Sequence, residues 1–221
     1  MKPLELLGRA RTPDGSDLSL TRRDREFIIL ANGKPLMSSY MHGSEQALAT
    51  LACGRLPAEE PCVLVGGLGM GFTLRATLDL LPHDATVVVS ELVPAVVEWN
   101  RGPLGPLAEH PLDDKRVQLD QRDVAETLHT SRQRFDAILL DVDNGPDAFT
   151  SSGNAGLYSD SGLTAARAAL RANGTLAVWS AWEDRKFEQR LRYNGFKVSV
   201  HHVRGRLKKG GPHHTIFLGR L

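Results

Sequence analysis

The stretch Cys62-Val63-Leu64-Val65-Gly66-Gly67-Leu68-Gly69-Met70-Gly71-Phe72 constrains this chain more than any other. A short apolar run after Pro61 reads as a buried parallel strand. A glycine-dense turn follows, and Phe72 to Leu81 reads as a helix. Strand, glycine turn and helix together present backbone N–H groups and a helix N-terminus to a ligand. Glycine allows that close approach because no Cβ intervenes.

The glycine spacing separates ligand classes. A dinucleotide fingerprint needs Gly-x-Gly-x-x-Gly/Ala. Counted from Gly67, the third required position is Phe72, so a nicotinamide oxidoreductase is not expected. The observed pattern, Gly67-x-Gly69-x-Gly71, looks like the nucleoside loop of class I S-adenosylmethionine enzymes. It suits a ribose with an amine or amino-acid tail. A tight turn without ligand is the plainer alternative.

The acids follow the strands. Ala85 to Ser90 reads as a second buried strand ending at Glu91, about 20 residues after the loop, where a carboxylate can hold a ribose diol. Arg116 to Leu119 reads as a third strand. Asp123, just beyond it, is chosen over Asp120 for an adenine amine because it opens the next helix; a helix N-cap is the competing role. Phe135 to Leu140 reads as a fourth strand. Asp141 follows it, on the side of the sheet where ligands bind. Asp143 and Asn144 extend the same cluster. Several acids facing a loop without cations suit a positively charged substrate. Before the glycine loop, Tyr40 and His42 precede a helix from Ser44 to Cys53, with Gly54 as its stop.

The rest of the chain completes an α/β pattern. Helices are expected from Pro94, over Ser159 to Ala172 and over Trp182 to Asn194. Strands are expected over Thr175 to Ser180, Phe196 to Val203 and Thr215 to Gly219, with an antiparallel pair at one edge. The sum is a doubly wound sheet of about seven strands. Residues 1–41 differ: short alternating runs are separated by Pro13-Asp14-Gly15 and Asn32-Gly33, which read as hairpin turns. The expected division is a small antiparallel β appendage, 1–41, and a Rossmann-like unit, 42–221.

Composition excludes several classes. With 221 residues and a formal charge of +1, nothing calls for nucleic acid or an anionic membrane. No apolar run approaches the roughly 20 residues that span a bilayer, and Met1 to Glu5 lacks a signal-peptide core. Only Cys53 and Cys62 occur, which favours a reducing cytoplasm over a disulfide framework. His201-His202 and His213-His214 are adjacent pairs; on strands each pair offers one ligand, so no metal is expected. The basic loop Arg204 to Lys209 reads as a solvated turn.

Taken together, Tyr40, His42, Glu45, Gly66 to Gly71, Glu91, Asp123 and Phe135 to Pro146 resemble the spermidine synthase (polyamine aminopropyltransferase) family, over about residues 38 to 200. The resemblance implies a class I methyltransferase fold with an N-terminal β domain, and often a dimer. It implies an alkyl transfer from S-adenosylmethionine or its decarboxylated form to a small amine. Asp141 would act on the acceptor with Tyr40 assisting. Gly66, Gly67, Gly69, Gly71, Glu91 and Asp123 would hold the donor, and His42, Asp143 and Asn144 the acceptor. The chain departs from the family at two acids: Gly69 stands where the family's loop has Asp, and Asn144 where it has a second strand-end Asp. Less negative charge leaves room for a donor carboxylate and favours methyl over aminopropyl transfer. A non-catalytic module that keeps the fold is the alternative.

Overall fold

A computed structural model describes residues 3–56, 59–142, 145–146, 156–206 and 211–221. Two sheets form. The first is an antiparallel meander of β1 (Glu5–Arg11), β2 (Asp17–Arg23), β3 (Glu26–Ala31) and β4 (Lys34–Ser38). Its β3–β4 turn uses Asn32 and Gly33, both at positive φ (48° and 77°). That backbone twist matches the twist of the flanking strands, as the Asn-Gly pair predicts. The fourth strand, β4, was not legible as a separate run, because Pro35 interrupts it.

The second sheet has seven strands. In chain order they are β5 (Cys62–Gly66), β6 (Thr86–Ser90), β7 (Val117–Asp120), β8 (Phe135–Leu140), β9 (Leu170–Ser180), β10 (Lys197–Arg204) and β11 (His213–Arg220). Their spatial order is β10-β11-β9-β8-β5-β6-β7. Strands β5, β6, β7, β8 and β9 run parallel, and β11 is antiparallel to both β9 and β10. The doubly wound sheet with an antiparallel edge is therefore as expected.

Alternation along the strands builds two apolar layers. Val63, Val65, Val87, Val89, Ala137 and Leu139 face one layer, and Leu64, Val88, Ile138 and Leu140 the other. Helices α1 (Gly43–Cys53), α2 (Phe72–Leu80) and α3 (Pro94–Arg101) cover the first through Leu48, Leu74, Leu78 and Val97. Helices α4 (Val124–Thr130), α5 (Asp160–Ala169) and α6 (Arg185–Tyr193) cover the second through Leu128, Leu163 and Phe187. Each such fully buried side chain contributes about 1.5–3 kcal/mol.

The N-terminal sheet joins the first layer. Leu18, Leu20 and Ile29 belong to its apolar cluster together with Trp99. Gly8 lies against that indole: a Cβ there would stand 2.5 Å from Trp99 Nε1. This packing brings β4 towards the glycine loop. Two helix ends differ from expectation. α5 stops at Ala169 and β9 begins at Leu170, with Asn173 at φ 64° inside it; Asn tolerates that conformation. α6 starts later than Trp182, because Asp184 accepts from the N–H groups of Lys186 and Phe187 and caps it. Both cysteines are free and buried. No described helix is long and apolar enough to cross a membrane.

Gly67 sits at φ 87°, and a Cβ on it would collide with the carbonyl oxygen of Asp141. Gly67→Ala should therefore destabilise the fold by roughly 2 kcal/mol or more. Urea denaturation checks this; an unchanged midpoint would contradict the packing described.

Candidate active site

The tips of β5, β6 and β8 are tied together by backbone. Gly67 N–H donates to Ser90 O and Asp141 N–H to Gly66 O, both at 2.9 Å. The loop that follows β5 turns at Gly67, Gly69 and Gly71, all at positive φ. It is fastened at two further points. Leu68 N–H donates to Glu91 Oε2 (2.9 Å), and Asn100 Nδ2 donates to Gly69 O (2.9 Å). Asn100 is buried on α3, and its Oδ1 would touch a Cβ at Gly71. Glycine is thus required at Gly67 and Gly71 by close neighbours, not by turn geometry alone.

Under this loop lies a small hollow lined by Met37, Ser38, Glu45, Leu68, Gly69, Met70, Phe72, Thr73 and Asp141. Its free space is about 10 Å³, enough for one water. Thr73 Oγ1 donates to Asp141 Oδ2 at 2.5 Å. Ser44 Oγ donates to Glu45 Oε2 at 2.6 Å. No Lys, Arg or His is among the described lining residues.

Two carboxyls in one small space interact strongly. Burial pushes Glu45 up to about 8, helped by the charge of Asp141 and opposed by the Ser44 hydroxyl. Burial pushes Asp141 up to about 6, opposed by the Thr73 hydroxyl. Both shifts favour the neutral acids in the absence of a cation. Shifts of this kind, in a cleft, mark candidate functional groups.

The expected residues fall into three groups. Asp141 and Gly69 meet in the hollow. Gly66, Gly67, Gly71 and Glu91 do not line it; they belong to or fasten the glycine loop beside it. Glu91 is buried, and burial raises its pKa against the opposing backbone hydrogen bonds. Its two oxygens accept from Leu68 and Val93 N–H, and the backbone of Leu92 and Gly69 also favours its charged form. Asp123 accepts from Ala125 N–H and caps α4, while Asp120 is held by Thr127 and Arg122. Tyr40 and His42 lie outside the hollow. Tyr40 is 52% exposed. The His42 ring stacks on Phe72 at 4.2 Å and contacts Ser39 O through Nδ1. It lines a wider neighbouring groove of about 400 Å³ with Gln46, Arg75 and Asp79. Asp143 and Asn144 lie outside the described residues.

Three lining residues carried no signal from spacing alone. Glu45 stood out only through the family resemblance. Thr73 looked like an ordinary second residue of α2. Met37 arrives from the other sheet. The adjacent histidines do not gather: among the described residues no group of three metal-ligating side chains forms.

No family model matches the chain. Polyamine aminopropyltransferase 1 of Streptomyces coelicolor is 34% identical over 122 residues, 53% of this chain and 22% of that protein. The chain thus spans about a fifth of that curated relative. The crystal structure of spermidine synthase from Thermotoga maritima superposes with a TM-score of 0.78 at 18% identity, covering 98% of this chain and 72% of that one. A spermidine synthase solved with the transition-state analogue AdoDATO gives 0.76 at 17% identity, with the same coverage. The chain therefore has the class I methyltransferase-like fold of the spermidine synthases, and the resemblance read from the sequence is borne out.

The raised acids have a consequence for stability. The folded chain holds protons on Glu45 up to about 8 and on Asp141 up to about 6, above their ordinary values of 4.5 and 3.8. Folding then takes up protons in that window, so stability should fall as pH rises from about 4 to about 8. Glu45→Gln should flatten the fall and raise the melting temperature at the upper end. Calorimetric melts of both proteins across that range check the sign.

Proposed function

We propose that this chain, built on the spermidine synthase fold, transfers an aminopropyl group from decarboxylated S-adenosylmethionine to a small amine. One observation carries the reading: Glu45 and Asp141 share a hollow beside the glycine loop with no basic residue among its described lining. Two buried acids without a cation are costly. An ammonium would remove that cost, whereas a donor carboxylate would add a third negative group. The negative charge missing at Gly69 is supplied from α1 by Glu45. This changes the weighting given by Gly69 and Asn144 in the sequence, which favours methyl transfer. The named relative and structural neighbours point the same way: one is called an aminopropyltransferase, the others spermidine synthases.

The residues present fit such a donor in charge and in backbone. The glycine loop lets backbone approach closely, Glu91 and Asp123 carry lone pairs for sugar and base, and the reactive end falls among acids. In volume they fit only after a side chain moves, because the hollow holds about one water. Met37 and Met70 are the flexible members of the lining, and Met37 packs on the loop at Gly69.

A sulfonium donor supplies an electrophilic carbon and leaves as a neutral thioether. The protein's own work is then alignment and proton handling. Asp141, fixed by the Thr73 hydroxyl, orients the acceptor nitrogen for in-line attack. As the new carbon–nitrogen bond forms, the carbon–sulfur pair returns to sulfur, and the extra proton on nitrogen passes to the Asp141 carboxylate. A carboxyl raised towards neutrality suits that transfer. Glu45 holds the remaining ammonium charge; in this reading His42, on the neighbouring groove, meets the acceptor and the exposed Tyr40 assists. In this reading residues 1–41 form a β appendage closing a site built by 42–221, in a cytoplasmic protein expected to dimerise.

Mass spectrometry of reactions with decarboxylated S-adenosylmethionine and a set of diamines tests the proposal directly. An adduct heavier by one aminopropyl group is expected. Asp141→Asn should lower turnover about 10²–10⁴-fold and leave donor binding within a few-fold. Equal losses of both would assign Asp141 to the donor seat or to the fold instead.

A further inference from the structure

Gly69 leaves a gap where a side chain would stand, and the structure does not leave that gap open. A Cβ placed on Gly69 would lie 3.0 Å from Met37 Cε and 3.3 Å from Met37 Sδ. Met37, on β4, therefore packs onto the bare backbone of the loop. It does so inside the hollow that holds Glu45 and Asp141. We infer that Met37 determines donor specificity by filling, with an uncharged thioether, the room that a donor carboxylate would need. This inference rests on the aminopropyl-transfer reading above.

The argument is one of space and of desolvation. With room for about one water, a donor tail entering the hollow must displace lining side chains, and Met37 is the one packed on Gly69. An unbranched thioether turns about several bonds and can make way for a slim aminopropyl chain. It still lines the hollow after it moves. A tail that also bears a carboxylate needs more volume at the same place. It would bring its charge against sulfur and methyl groups, beside two acids and with no described cation in the lining. A charged group buried without a partner is strongly disfavoured. Glu45 and Asp141 thus act on charge, and Met37 acts on size. Specificity of this kind works through exclusion as much as attraction.

Isothermal titration of wild type, Met37→Ala and Met37→Leu with S-adenosylmethionine and with its decarboxylated form tests this. Wild type should prefer the decarboxylated form. Met37→Ala should narrow the preference about tenfold, through better binding of the carboxylated donor. Met37→Leu, similar in volume, should keep it. If Met37→Ala does not fold, Met37→Val keeps a strand-favouring residue and shortens the side chain, with the same expectation. A wild-type preference that survives in Met37→Ala and Met37→Val would overturn the role of Met37 alone. A wild type that binds the carboxylated donor more tightly would overturn the reading of the hollow, and this inference with it.

Discussion

Two carboxylic acids enclosed together repel each other whenever both are ionised, and a fold can keep them only as neutral acids or around a cation. Glu45 and Asp141 are such a pair. Their elements come from distant parts of the chain. Asp141 ends β8, and its backbone is locked to Gly66 and crowded by Gly67. Glu45 sits in the first turn of α1. Bringing them into one small space opposes folding at neutral pH. In the proposed function, that stability is given up for recognition of an amine.

The loop itself is held more rigidly than a glycine-rich sequence suggests. Glu91 receives Leu68 N–H, Asn100 receives none but donates to Gly69 O, and Ser90 O accepts from Gly67. Glycine here confers access, while α3 and the tip of β6 confer position. The proposed transfer by alignment would need that combination, since a misplacement of about 1 Å can cost about 10²-fold in rate. The N-terminal sheet adds the last wall. Gly8 against Trp99 seats it on α3, and Met37 then reaches the loop.

Much of this was legible beforehand. Strand periodicity gave β5, β6 and β8, because residues buried on both faces read as continuous apolar runs. The position of Asp141 beside the loop followed from where parallel sheets bind ligands. The Asn-Gly turn was read from its backbone requirement. What was not legible were contacts between elements far apart in sequence. Met37 belongs to a strand interrupted by Pro35, and nothing local says that it covers Gly69. Glu45 looks like any acid in a first helical turn, where the dipole alone justifies it. Tyr40 was placed at the site by its neighbours in sequence, yet the turn before α1 leaves it half exposed. The balance between methyl and aminopropyl transfer rests, in the sequence, on the acids missing at Gly69 and Asn144 and leaves out the acid that α1 contributes.

The pair itself can be measured. Carbon-13 NMR titration of the Glu45 and Asp141 carboxyls, with and without a bound diamine, reads their protonation directly. The account predicts that both titrate above the ordinary carboxylate range in the free protein and move down when the diamine binds. Two carboxyls that titrate near 4 and ignore the diamine would contradict it.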